Sequence, residues 1–250
     1  MLAAAVAGGA ALAAAFAGWL RPGAAVAAAM IGWAHLAGVG WAGGALLATL
    51  VISGSALTRY LDPDGRSAAR RGAGQVLANG GVAAVGALLI PRWPDIGWPI
   101  LLGALATAQA DTWSTEIGRL SPSQPRDLLT QRPVPAGTSG GVTARGTIGG
   151  AVGALVIGLV ALITGVPPGG AAAAVMAGVA GMLADSALGG SLQTRYLCSV
   201  CQQPTEASQH CAQPTRRVSG FPGLGNSAVN AVSTACGSAV AWLAWGWWCC

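Results

Sequence analysis

Long apolar stretches alternate with short polar ones along the chain, a pattern typical of membrane-spanning helices. Several stretches are shorter than the roughly 20 residues that a perpendicular span requires. Segment 24–36 could therefore be re-entrant rather than spanning. Segments 76–91 and 97–110 could instead be extended by neighbouring polar residues that face the bundle interior. We predict an all-α, polytopic membrane helix bundle of about seven or eight segments. The apolar segments lie near residues 2–20, 24–36, 41–57, 76–91, 97–110, 146–164, 171–190 and 226–248.

Composition agrees with this prediction. Hydrophobic residues make up 53% of the chain and charged residues 8%, with a mean hydropathy of +0.58, whereas soluble domains carry about 25% charged residues. Most apolar residues are Ala, Gly, Val and Leu, which let helices approach closely in lipid. Segment 2–20 lacks a basic n-region and is long for an h-region, so we interpret it as a span rather than a signal peptide. Residues 1–250 are predicted to form a single integral-membrane domain, since no loop could bury a core of its own.

The basic residues set the orientation. All 13 of them are Arg, which excludes a Walker-type phosphate loop and Schiff-base catalysis, because both need Lys. If eight segments cross, all but Arg92 emerge on one face, which the positive-inside rule makes cytoplasmic in a multi-pass protein of the cell membrane. The polar stretches 58–75, 111–145 and 191–225 share that face, so we expect them to form one site. The arginines on it are Arg21, Arg59, Arg66, Arg70, Arg71, Arg119, Arg126, Arg132, Arg145, Arg195, Arg216 and Arg217.

Three acidic residues at the ends of apolar segments are candidates for catalysis. An acid at membrane depth costs about 2.5 to 3.5 kcal/mol, which makes it a functional candidate. On a helix, Asp111 and Glu116 point about 140° apart, so they need separate partners or an unwound turn. Asp185 ends a later apolar segment on the same face, and together with Asp111 it would suit Mg²⁺. The alternatives are a helix-capping Asp at the water interface and a lone polar helix end.

A glycine-rich segment, "QRPVPAGTSGGVTARGT", lies between these acids at residues 131–147. Its glycines permit turns with exposed amides, which favours an anion-binding nest, although such loops also commonly just join spans. The helix expected to begin near Gly146 would present further free N–H groups. Arg126 and Arg132, with Arg145 as a third candidate, would supply planar phosphate donors. The loop candidates are Gly137, Thr138, Ser139, Gly140 and Gly141.

Amides in apolar helices form a further candidate set. Asn226 and Asn230 are four residues apart and share a helix face, while Asn79 lies within the segment "GQVLANGG". Buried amides usually hydrogen-bond a neighbouring helix. The alternative is that they orient a metal ligand or a phosphate oxygen.

The segment "YLCSVCQQPTEASQHC" carries Cys198, Cys201, His210 and Cys211. Zn²⁺ with Cys₃His ligation fits these residue types, but an adjacent His and Cys rarely reach one ion without strain. A redox pair and plain loop residues are the alternatives, and a stable disulfide is not expected on a cytoplasmic face. Three further cysteines, Cys236, Cys249 and Cys250, are given no role. His35, on the opposite face, is expected to be packed or interfacial rather than a ligand.

The chain contains, in this order, the motifs "GQVLANGG", "ADTWSTEIG", "VPAGTSGGVT..GT", "ADSALGGSLQ", "C..C...TE...HC" and "N...N". In these motifs it resembles domain-of-unknown-function family ninety-two from about residue 20 to 235. That family includes the phytyl-phosphate kinases of chloroplasts and cyanobacteria. The resemblance implies phosphoryl transfer from a nucleoside triphosphate, CTP in characterised relatives, to an isoprenoid (phytyl or prenyl) monophosphate, with membrane lipid and no nucleic acid as partner. Family members carry Asn where Ser139 stands and Asp where Ser227 stands.

This resemblance gives the candidate residues roles. Asp111 and Asp185 would hold Mg²⁺ with Glu116 assisting, and the glycine loop with Arg126 and Arg132 would hold phosphates. One alternative is a transporter for an anionic lipid or small anion, since short helices and midmembrane acids also occur in carriers; the one-sided distribution of polar residues argues against it. The other is a cytidylyltransferase-type enzyme at the same kind of site.

Overall fold

The computed structural model describes residues 1–61 and 70–248, so Arg66 of the predicted basic face and the terminal Cys249 and Cys250 lie outside the described residues. Within the described ranges the chain forms eight α-helices. They are α1 (Leu2–Phe16), α2 (Pro22–Val39), α3 (Trp41–Leu61), α4 (Ala73–Leu89), α5 (Pro94–Gly118), α6 (Ala144–Ile163), α7 (Pro168–Ser191) and α8 (Asn226–Trp248). Each predicted apolar segment corresponds to one of them, which confirms the helical bundle.

Two boundaries refine the prediction. Segment 24–36 belongs to the continuous 18-residue helix α2. Segment 97–110 belongs to the 25-residue helix α5, which continues through "DTWSTEIG" to Gly118. No unwound turn therefore separates Asp111 from Glu116.

Four of the described helices are long and apolar enough to cross a membrane, namely α3, α6, α7 and α8 over residues 226–246. Helices α1, α2 and α4 are apolar but shorter. Helix α5 lies at the centre and packs against α3, α4, α6, α7 and α8. Because other helices cover it, α5 can carry polar residues that a lipid-facing helix could not.

Small residues allow the close helix contacts around α5, as the composition predicts. A Cβ atom at Gly178 of α7 would lie 2.9 Å from the carbonyl oxygen of Ala106 in α5. A Cβ atom at Gly103 of α5 would lie 2.6 Å from the carbonyl oxygen of Gly237 in α8. Both distances are shorter than a normal contact, so glycine is required for the helices to approach this closely.

The polar segments meet at one end of the bundle, where they form short antiparallel strands that the sequence pattern did not predict. β1 pairs with β2, β3 pairs with both β4 and β7, and β5 pairs with β6. The loop between α1 and α2 is hydrogen-bonded to the segment before α4, since the Arg21 amide donates to the Arg71 carbonyl over 3.1 Å. The strands are β1 (Arg126–Asp127), β2 (Gly141–Val142), β3 (Arg195–Leu197), β4 (Pro204–Thr205), β5 (Gln209–His210), β6 (Gln213–Pro214) and β7 (Arg216–Ser219).

His35 is a packed residue, as predicted. Its side chain is fully buried in α2, and Nδ1 lies 2.8 Å from the carbonyl oxygen of Ile31 one turn earlier.

Candidate active site at the polar end of the bundle

A polar cleft of about 770 Å³ opens at the end of the bundle where the polar segments meet. Its lining comes from helices α3 to α8 and from the segments before α4, between α5 and α6 and between α7 and α8. Residues from each of the three predicted polar stretches therefore line one cleft. Eleven predicted site residues line this cleft: Asp111, Glu116, Asp185, Asn79, Asn226, Asn230, Gly137, Thr138, Ser139, Gly140 and Gly141.

Asp111 of α5 and Asp185 of α7 face the cleft from neighbouring helices. The hydroxyl of Ser233, in α8, donates to Asp185 Oδ2 over 2.9 Å. This bond fixes one oxygen of Asp185, and the sequence reading did not single out Ser233.

The predicted asparagines join α4 to α8 within the same cleft. Asn230 Nδ2 donates to Asn79 Oδ1 over 2.9 Å, so one expected role, bonding a neighbouring helix, is present. Asn230 Oδ1 is buried without a hydrogen-bond partner among the described residues. A buried, unpartnered carbonyl oxygen is costly and suits a bound cation or donor.

These oxygen atoms are chemically suited to Mg²⁺. Asp111 and Asp185 offer carboxylates and Asn230 offers its unpartnered carbonyl oxygen. Mg²⁺ prefers such oxygen ligands and usually completes its shell with water and substrate phosphates. The donor set therefore fits the group that the family resemblance implies.

Glu116 has its own partners, as the helical wheel predicts. Thr58 Oγ1 donates to Glu116 Oε1 over 2.9 Å, and Arg119 Nη1 donates to Oε2 over 3.1 Å. Arg71 also lines the cleft. Burial lowers its pKa, and the negative charge of Glu116 opposes this change without cancelling it. Since arginine stays protonated in proteins, Arg71 is a half-buried cation at the cleft wall.

The arginines predicted to bind phosphate lie elsewhere. Arg126 Nη1 donates to the Gln131 carbonyl over 2.9 Å and so closes its own turn, while Arg132 is exposed beside it. Arg145 Nη1 donates to the carbonyl of Leu120 over 2.7 Å. None of the three lines the cleft, where the arginines are Arg71 and Arg119 instead.

The glycine loop, residues 137–141, is held against α7. Gly140 has a φ of +85°, and a Cβ atom there would lie 2.3 Å from Gly190 Cα. Arg195 Nη2 donates to the carbonyl oxygen of Ser139 over 2.9 Å and to that of Gly190 over 3.0 Å. Arg195 therefore clamps the loop to the helix, a role that the sequence reading missed.

Asp127 shapes the turn before the loop. Its carboxylate accepts hydrogen bonds from the Thr130 amide over 2.8 Å and the Leu129 amide over 3.1 Å. The hydrogen bond from the Thr130 amide, helped by the Thr130 hydroxyl, lowers the pKa of Asp127. The ionised side chain thus stabilises the turn that leads into β2.

Helix α6 begins close to its predicted start. Its N-cap is Thr143, whose hydroxyl accepts a hydrogen bond from the Gly146 amide over 3.0 Å. Thr143, Gly146 and Thr147 line the cleft. The first turn of α6 is therefore directed at the cleft, although one of its amides is already partnered.

The two positions that depart from the family pattern differ in place. Ser139 lines the cleft, and its hydroxyl donates to Gln193 Oε1 over 2.9 Å. Ser227 lies in the first turn of α8, near Gly74 of α4.

An apolar groove of about 860 Å³ lies beside the cleft, between α1, α2, α3 and α4. Its wall is mostly Ala, Leu, Val and Ile, with Trp19 and Trp41. Arg71, Gln75 and Asn79 line both the groove and the cleft. A polar compartment and an apolar one therefore share a wall.

Cys198, Cys201, His210 and Cys211 lie together outside the cleft, with one ligand atom of each within 4.8 Å of all the others. The Cys201 amide, as the largest cause, lowers the pKa of the Cys198 thiol to about 6. A hydrogen bond with Cys201 raises the pKa of the Cys211 thiol to about 11. Glu206, between the two halves of the cluster, lines the cleft.

The family model of the integral membrane protein DUF92 matches residues 5–238. The chain belongs to this DUF92 family. Among relatives of this DUF92 protein, Protein PGR of Arabidopsis thaliana is 31% identical over 230 residues, covering 78% of each chain. An uncharacterized membrane protein of Methanocaldococcus jannaschii is 37% identical over 46% of this chain and 48% of its own. An uncharacterized membrane protein of Synechocystis is 26% identical over 82% of this chain and 74% of its own.

No solved structure matches this DUF92 protein. The family match makes it an integral membrane protein, in agreement with its apolar helices.

Proposed function

We propose that this DUF92 protein is an isoprenoid monophosphate kinase. It transfers the terminal phosphoryl group of a nucleoside triphosphate, CTP by family resemblance, to a phytyl or other prenyl monophosphate at the cytoplasmic membrane face. The observation that carries this proposal is the wall shared by a polar cleft and an apolar groove, formed by Arg71, Gln75 and Asn79. A prenyl phosphate has matching parts, an anionic head and an apolar chain.

The acceptor would lie across this wall. Its chain occupies the groove between α1 and α4, where apolar surface is buried. Its phosphate meets Arg71, whose guanidinium offers planar, paired donors. This placement brings the head group into the cleft that Asp111 and Asp185 also line.

The donor nucleotide would bind through its phosphates. The amides of the glycine loop and the first turn of α6 line the cleft, and both are features that bind phosphate. Asp111, Asp185 and Asn230 would hold Mg²⁺, which neutralises phosphate charge when it is bound. Glu116 keeps Arg119 beside the same cleft through their 3.1 Å ion pair.

The chemical step needs few protein groups. An oxygen of the prenyl phosphate forms a bond to the γ-phosphorus while the bond from that phosphorus to the β-phosphate oxygen breaks, and the nucleoside diphosphate leaves. The acceptor is already anionic at neutral pH, so no side chain has to remove a proton. Positioning and charge stabilisation, which this cleft supplies, carry most of such a reaction.

The test is an assay of the purified protein in lipid nanodiscs with CTP, Mg²⁺ and phytyl or geranylgeranyl phosphate. The prenyl diphosphate is the expected product, identified by mass. Asp111→Asn is expected to lower the rate by about 10²-fold or more, because charge stabilisation at the phosphates is lost. Asp95→Asn is the matched control, since Asp95 is exposed at the opposite end of α5.

Other outcomes separate the alternatives. A product heavier by a cytidylyl group would indicate a cytidylyltransferase. Lipid or anion uptake by vesicles that survives Asp111→Asn, without nucleotide binding, would indicate a carrier. Absence of diphosphate with every nucleotide and prenyl phosphate tried, from folded protein, would refute the kinase.

A further inference from the structure

The cysteine–histidine cluster has the dimensions of a tetrahedral metal site. His210 Nδ1 lies 3.4 Å from Cys201 Sγ and 3.3 Å from Cys211 Sγ. Ligand bond lengths around zinc imply separations of roughly 3.5 Å between nitrogen and sulfur and roughly 3.8 Å between two sulfurs. The four ligand atoms, all within 4.8 Å of one another, are therefore already arranged near a common centre.

The backbone on one side of the cluster forms a turn around a sulfur atom. The amides of Val200 and Cys201 point at Cys198 Sγ, at 3.4 and 3.5 Å. The Gln202 amide closes the turn on the Cys198 carbonyl over 3.1 Å. The CxxC segment therefore forms a tight turn around Cys198 Sγ, and the Cys198 and Cys201 sulfurs lie within 4.8 Å of each other.

On the other side of the cluster, the β5–β6 hairpin allows the adjacent residues His210 and Cys211 to reach one ion. His210 ends β5, and the two residues that connect it to β6 are Cys211 and Ala212. Their φ angles are +51° and +58°, so the hairpin reverses tightly between them. The reversal brings the Cys211 sulfur to the same side as the His210 ring.

The segment that carries the cluster lacks an apolar core. Nearly every residue from 199 to 219 is exposed, and the strands there are two to four residues long. Strands this short are not stable by themselves, and small units without a core usually need a metal or disulfides. The cysteines in this segment are free thiols, which leaves a metal to hold it together.

We propose that Cys198, Cys201, His210 and Cys211 bind one structural Zn²⁺ ion. Three thiolates and an imidazole in a closed tetrahedral set suit zinc better than the oxygen-preferring Mg²⁺. Binding releases the thiol protons to solvent. This site is separate from the cleft, and the inference does not depend on the kinase activity.

The zinc site also supports the cleft. Strand β3 begins at Arg195, which clamps the glycine loop, and it ends one residue before Cys198. Glu206, which lines the cleft, lies between Cys201 and His210. Fixing the cluster therefore fixes both Arg195 and Glu206 relative to the cleft.

Metal analysis of the purified, thiol-reduced protein tests the proposal. We expect about one zinc ion per chain, and at least a several-fold loss of bound zinc in Cys198→Ser and in Cys211→Ser. Cys236→Ser is the control, because Cys236 is an exposed cysteine of α8 outside the cluster. Wild-type protein without zinc after growth and purification in zinc, or equal zinc loss in the control, would refute the site.

Cobalt gives a readout that does not require a folded serine variant. Co²⁺ in place of zinc is expected to produce thiolate-to-cobalt charge-transfer absorption in the wild-type protein. His210→Cys keeps four ligands and makes all four of them thiolates, so it is expected to retain the metal and strengthen that absorption. Co²⁺ bound without thiolate absorption would contradict the ligand set.

Proteolysis tests the structural role. Arg216 and Arg217 in β7 are exposed sites for trypsin. Removal of zinc by a chelator is expected to speed cleavage there by at least several-fold, because β7 is held only by short strand pairing. Equal cleavage rates with and without zinc would contradict the stabilising role.

Discussion

Arg71 is the single residue on which the proposed acceptor site depends most. It is a half-buried cation that lines both the cleft and the groove. Burial lowers its pKa, and the charge of Glu116 opposes that change. A bound phosphate would supply a second anionic partner, so the site is prepared for an anion at the edge of an apolar compartment.

Arg71→Lys retains the charge but removes the planar pair of donors. We expect kcat/KM for the prenyl phosphate to fall roughly 10- to 100-fold, the effect of losing a hydrogen bond to a charged group. Steady-state kinetics with varied prenyl phosphate measure this change. Arg92→Lys, in the exposed loop between α4 and α5 at the other end of the bundle, is the control. Equal kcat/KM values for both variants would contradict a role of Arg71 in binding the acceptor.

Single residues differed in how far the sequence could predict them. Asp111, Asp185 and Asn79 were found because polar residues are rare in apolar segments and costly there. Arginines offered no such contrast, since the chain has 13 of them and most are in loops. Arg126 and Arg132, which were predicted to bind phosphate, do not line the cleft, because they belong to the turn around Asp127. Arg195 was missed because its role depends on strand pairing.

At the scale of elements, the contact between the glycine loop and α7 fixes the shape of the cleft. Gly140 and Gly137 both have positive φ, +85° and +81°. Only Gly140 lies against the backbone of Gly190, whereas a Cβ atom at Gly137 would meet nothing within 4 Å. A side chain at Gly137 would therefore meet only the strain of a positive φ, whereas one at Gly140 would meet that strain and a steric clash with α7.

Gly137→Ala is expected to cost roughly 1 to 2 kcal/mol of stability, the cost of the left-handed conformation. Gly140→Ala is expected to cost clearly more, since its Cβ would overlap backbone atoms of α7 that cannot rotate away. Thermal unfolding of both variants in detergent, followed by thiol-reactive fluorescence or calorimetry, measures the difference. Equal shifts of Tm would show that the loop does not pack on α7 in solution.

The helices were predictable and the strands were not. The helices follow from long apolar segments, whose backbone must satisfy its own hydrogen bonds in lipid. The strands have two to four residues, too short for an alternating pattern. Their pairing depends on turns such as Cys211–Ala212, whose left-handed residues are not glycines and so gave no signal in the sequence.

At the scale of the whole molecule, the groove between α1 and α4 is a distinct compartment attached to the central helices. It lies next to α3, which contributes Thr58 to the cleft and Ala48 to the groove. Substrate choice by chain length would therefore be determined far from the reacting phosphates.

Ala48→Trp is expected to fill part of the groove, since a tryptophan side chain buries about 200 Å² of surface. Activity with geranylgeranyl phosphate should fall several-fold relative to activity with dimethylallyl phosphate, whose chain is short. Competition between the two acceptors measures the ratio directly. Ala56→Trp is the matched control on the same helix, at an exposed position outside the groove. An unchanged ratio of the two activities would mean that the prenyl chain does not bind in the groove.

The direction of the helices around the cleft gives it an electric polarity of its own. Helices α5 and α7 end there, with Asp111 and Asp185 in their last two turns, so acidic side chains add to the negative ends of two helix dipoles. Helices α4, α6 and α8 begin there, and their positive ends face the same space. A ligand that combines a cation with phosphate is thus oriented by the bundle itself, with its cation towards α5 and α7 and its phosphate towards α4, α6 and α8.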